Sequence, residues 1–138
     1  MPFLTGVDES ALMNVIHTVA STQVKHGGPS RSVPFLCSAL AKENISVRLV
    51  TAVRGSTVEE ERVVLPADSV QVHLVREDSC LSRMLRAPVG FYQVMRKQVQ
   101  RDKPVLIHDH GVWLPSNGAA GLISSQFDIP LVISTRGM

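Results

Sequence analysis

At 138 residues, 44% hydrophobic and 19% charged, the chain has the length of one packed domain and is too apolar to be disordered. A formal net charge of +2 creates no strong field, so no nucleic-acid partner is called for. No apolar run approaches the roughly 20 residues that cross a bilayer, and the N-terminus lacks the basic and long apolar regions of a signal peptide, so the expected location is cytoplasmic.

Residues 1–11 read as a polar lead-in. Residues 12–20, Leu12 to Ala20, form a near-continuous apolar run that suits a parallel strand covered on both faces. A loop follows, with Gly27, Gly28 and Pro29. The spacing of Val33, Leu36, Cys37, Leu40 and Ala41 predicts a helix over 32–43, capped by Ser30 or Ser32, with Pro34 in its first turn and Asn44 at its end. Residues 46–52 read as a second strand. Residues 55–66 are polar and acidic and read as a surface excursion. Residues 70–75 alternate and predict a third strand with one less buried face.

Residues 78–101 read as helical and basic, with a break around Ala87-Pro88. Between Arg76 and Lys103, seven basic residues face three acidic ones, with apolar residues interleaved. This stretch is either a solvated helix face over a core stripe or a surface that lies on an anionic membrane. The fourth strand is the start of Val105-Leu106-Ile107-His108-Asp109-His110-Gly111-Val112-Trp113. Residues 117–127 form a small-residue helix with Ser116 as its cap, and 129–135 form a fifth strand. The alternation predicts an α/β fold: a doubly wound, Rossmann-like parallel sheet in three layers. Because the chain stops just after a strand, the sheet is expected to be incomplete at its C-terminus.

Two loops carry the chemistry. Gly27 and Gly28 permit close backbone approach before a helix N-terminus, and Arg31 adds a positive charge. The loop is therefore either a phosphate site or a plain strand-to-helix turn. It holds no GxGxxG and no Walker A sequence. His108 and His110, two apart on a strand, share a face, and Asp109 points away. They can ligate a metal, act as acid, base or hydrogen-bond partner, or hold the loops together. A third ligand would have to come from afar and none presents itself, so no metal is expected. Trp113 offers a flat apolar surface for a sugar or base, or else belongs to the core. Arg136 follows the fifth strand as an anion contact or as a surface residue. Cys37 and Cys80 form no CxxC pair and read as reduced thiols.

Three motifs, in order, resemble one family. They are Gly27-Gly28-Pro29-Ser30-Arg31-Ser32-Val33, His108-Asp109-His110-Gly111-Val112-Trp113, and residues 129–138, which end in Thr135-Arg136-Gly137-Met138. Together they resemble the N-terminal, acceptor-side domain of GT-B glycosyltransferases of family four, in the branch that builds bacterial surface polysaccharides. Thr135 stands where that pattern has proline, and Arg136 where many relatives have histidine. The resemblance implies a hexosyltransferase-type reaction that moves a sugar from a nucleotide-sugar donor to a polysaccharide or lipid-linked acceptor, with retention and without metal or cofactor. It implies catalytic roles for His110 and Arg136. It implies a donor-phosphate loop of Gly27, Gly28, Ser30 and Arg31, and an acceptor wall of His108, Trp113 and Asn117. It also implies that residues 1–138 form a partial domain, inactive without a donor domain, with peripheral contact through 76–103 at the inner face of a membrane as one option. The competing expectations are a standalone phosphate- or nucleotide-binding module and a truncated frame without function.

Overall fold

The structure is a computed structural model, and it describes residues 13–53, 62–76, 80 and 89–136. The lead-in at 1–11, most of the acidic stretch, the break at Ala87-Pro88, and Gly137 and Met138 lie outside the described residues.

Five strands form one sheet: β1 (Asn14–Ser21), β2 (Ser46–Val53), β3 (Gln71–Arg76), β4 (Leu106–His110) and β5 (Leu131–Ser134). Their order is β3-β2-β1-β4-β5, and every pairing is parallel. β1 and β2 are buried along most of their length because helices cover both faces of the sheet. On one face α1 (Gly28–Lys42) brings Val33 and Cys37 against Val19, Val47, Leu49 and Val70. On the other, α2 (Val89–Arg101) and α3 (Pro115–Phe127) bring Phe91, Met95, Val99, Ala120 and Ile123 against Ile16, Val50 and Ile107. The result is the three-layer, doubly wound, Rossmann-like arrangement that the alternation predicts. From β1 the chain steps outward through β2 to β3, then returns to lay β4 on the other side of β1. The direction of winding therefore reverses between β1 and β4.

Three local expectations are corrected. α1 begins at Gly28 rather than residue 32, with Gly27 (φ 81) as its cap, so neither serine caps it. Pro29, whose fixed φ suits a first turn, starts it. Pro34 therefore lies inside the helix, where it forgoes the bond to the Ser30 carbonyl. α3 begins at Pro115, two residues early, with Leu114 rather than Ser116 before its first turn. Finally, the described part of the acidic stretch is no free excursion. Val24 N–H donates to the Arg62 carbonyl at 2.9 Å and Val64 N–H to the Thr22 carbonyl at 2.8 Å. This clamp fixes the chain between β1 and α1. Asn44 ends α1 region as expected, in the left-handed conformation (φ 60).

Candidate functional site

A cleft of about 340 Å³ opens at the carboxyl ends of β1 and β4, where the winding reverses. One side is built by Ser21, Gln23, Pro29 and Ser30, at the end of β1 and the first turn of α1. The other is the loop from His110 to Asn117, and Arg136 closes a third side.

The turn after β4 is possible because Gly111 takes φ 132, a value side-chain-bearing residues rarely adopt. A methyl group there would also press on Asn117 Nδ2 at 3.2 Å. Asn117 organises this loop. Its Oδ1 accepts the Leu114 N–H at 2.9 Å, and its Nδ2 donates to Asp109 Oδ2 at 2.8 Å. One end of its amide thus closes the first turn of α3, and the other ties that helix to β4. Asp109, on the α3 side of the sheet, also accepts from Thr18 Oγ1 at 2.6 Å. Burial pushes the Asp109 carboxyl above its ordinary value, and those two bonds pull against the rise.

His108 and His110 share a face, as alternation requires, with ring centroids 4.1 Å apart. β1 adds a third ring. His17 is the register partner of His108, so it points to the same side. Its Nδ1 lies 3.0 Å from His110 Nε2, and the two rings are nearly parallel. The expectation that no third histidine is at hand is thereby corrected. His17 sits 93 residues before His110, and only the β1–β4 pairing brings them together. Its strand position two residues before Val19, on the face that receives α1, was the available signal. Burial, the neighbouring rings and the Arg136 guanidinium push His17 down to about 4 and His110 to about 3. His108 is lowered as well, first by burial and then by Arg136. Both shifts favour the neutral imidazole in His17 and His110.

Of the residues singled out in the sequence, Ser30, His110, Trp113, Asn117 and Arg136 line the cleft. Gly27, Gly28, Arg31 and His108 do not. Ser30 is fully buried and bonds the Gly27 carbonyl, so it shapes the loop. Arg31 is exposed. Trp113 stands 78% exposed at the cleft mouth, which rules out the core reading. Arg136 Nη1 reaches Ser32 Oγ at 3.2 Å and ties the end of β5 to α1.

Residues 27–138 match the family model of the glycosyl transferase 4-like domain. Over 89% of its length the chain superposes, with a TM-score of 0.58 and 14% identity, on a Listeria monocytogenes protein described as a UDP-N-acetylglucosamine 2-epimerase. It spans 31% of that protein. It also resembles the C-terminal domain of a hydrogenase from Pyrococcus furiosus, covering 88% of this chain and 90% of that one, with a TM-score of 0.56 and 14% identity. At such identities the likeness is one of fold. No curated protein matches the sequence.

Proposed function

This chain belongs to the glycosyl transferase 4-like domain family, and from that premise we propose that it forms the acceptor-side wall of a sugar-transfer cleft. The observation that carries the reading is the placement of the cleft. It lies at the switch point of the sheet, bounded by the first turn of α1, by Arg136 and by the exposed ring of Trp113.

Each boundary has a task. The first turn of α1 presents backbone N–H groups and the positive end of a helix dipole, which suit a donor phosphate. The Arg136 guanidinium adds charge at the cleft. The Trp113 ring can stack on an acceptor sugar, an amphipathic surface meeting an apolar ring face. His110 offers a neutral imidazole edge for hydrogen bonding to an incoming hydroxyl. The donor is a nucleotide-activated sugar, held mainly by a second domain, and the acceptor is a glycan or a lipid-linked glycan.

Trp113 is the chain's single tryptophan, so its fluorescence reports the cleft directly. Uridine and guanosine diphosphates, their sugars and short oligosaccharides are titrated while fluorescence and thermal stability are followed. A ligand at a hundred times its dissociation constant should add about 2.7 kcal/mol. Trp113→Ala should keep the parent's melting temperature and lose most of the oligosaccharide-dependent shift. If no ligand in the set moves either signal, the reading fails.

A further inference from the structure

We propose that His17, His108 and His110 bind one divalent transition-metal ion, of the type that prefers imidazole nitrogen, at the carboxyl end of β1 and β4. One ring nitrogen from each residue lies within 4.8 Å of the other two. A tetrahedral ion with metal–nitrogen distances of about 2.0 Å asks for nitrogens roughly 3.3 Å apart. The His17–His110 pair, at 3.0 Å, is already close to that spacing. His108 is half-buried, with its ring centroid 4.1 Å from that of His110 and 5.0 Å from that of His17.

An ion between these rings would take the lone pairs of His17 Nδ1 and His110 Nε2, the two atoms that face each other at 3.0 Å, and each ring would carry its N–H on the other nitrogen. Both residues are almost fully buried, at 1% and 3% exposure, so the rings are held in place before any ion arrives. Ser134 Oγ, 2.7 Å from His108 Nε2, steadies the third ring. Three nitrogen ligands leave the fourth position of the ion to water or an incoming oxygen.

The positive Arg136 guanidinium acts on all three rings. It weakens cation binding, and its removal should strengthen it. This inference goes beyond sugar transfer, which needs no metal in the reading above, and its test reads metal binding alone.

The purified chain is stripped with EDTA, then titrated with Zn²⁺ by calorimetry and with Co²⁺ by visible absorption. One ion per chain is expected, with the intense visible bands of a tetrahedral Co²⁺ site. His108→Gln, at the most accessible ligand, should weaken Zn²⁺ by at least about tenfold, with folding checked by circular dichroism. Arg136→Gln should tighten it. His73→Gln, on the far strand β3, should change nothing. No binding by the parent chain overturns the proposal. So does affinity that survives His108→Gln intact, that fails to rise in Arg136→Gln, or that is lost in His73→Gln.

Discussion

Arg48 lies buried at the amino end of β2, at the opposite end of the sheet from the cleft. Its guanidinium donates to the Gln98 carbonyl at 2.8 Å, the Asp102 carbonyl at 2.6 Å and Asn14 Oδ1 at 3.1 Å. Asn14 Nδ2 in turn donates to Asp102 Oδ2 at 2.6 Å. Arg48→Met keeps the stem and strips four acceptors of their donor, Gln98 Oε1 at 3.3 Å being the fourth. The loss should be about 3 kcal/mol, read as a lower urea midpoint with an unchanged slope. In the sequence, an arginine inside a strand looks like an outward-facing side chain, so this network is not legible there. The histidines supply a second prediction at the same scale. In the folded chain His17 and His110 titrate at about 4 and about 3, against an ordinary value of 6.5. The unfolded chain therefore takes up protons first as pH falls. With EDTA present, stability should be full above about pH 6.5 and should decline toward pH 4. Each pH unit in that window costs about 1.4 kcal/mol per histidine that stays neutral. Asp109, raised by burial, acts in the opposite sense. Urea midpoints that agree at pH 7.5 and pH 5 would contradict the burial of the two rings.

Among the elements, α2 divides its residues between solvent and sheet. Its basic residues Arg96, Lys97 and Arg101 are exposed, while Phe91, Met95, Gln98 and Val99 face inward. Within α2 the apolar stripe is thus turned to the sheet. Among the described residues no helix is long and apolar enough to cross a membrane. Phe91 is fully buried beside Ile16, Val50 and Ile107. Phe91→Ala should cost about 3–5 kcal/mol, since the sheet cannot collapse into the space the ring leaves. Thermal unfolding would show this as a large fall in midpoint. Among the described residues the type of each strand and α-helix was legible because the periodicity of burial is written locally, whereas the 3-10 turn at Val24–His26 was not. Element ends were less so. A serine before an apolar run suggests a cap, but Pro29 and Pro115 fix the first turns of α1 and α3 instead.

For the molecule as a whole, the reversal of winding between β1 and β4 decides where ligands can sit. Under the sugar-transfer reading the donor is held by a second domain, and groups on both walls must reach the transition state together. Residues 1–138 alone should therefore show no sugar transfer and no hydrolysis of a nucleotide sugar above the rate in buffer. Turnover by the pure chain, measured as nucleoside diphosphate release, would refute that division of labour. The order of strands and helices, the parallel sheet and the turn after the fourth strand, which lines the cleft, were determined by the sequence itself. Each follows from burial patterns and turn residues within a few positions of one another. What only the tertiary structure decided are contacts across long separations: His17 against His110, residues 62–64 clamped onto 22–24, and Arg136 reaching Ser32. They depend on which strands become neighbours and in what register, and no local pattern of hydrophobicity specifies either.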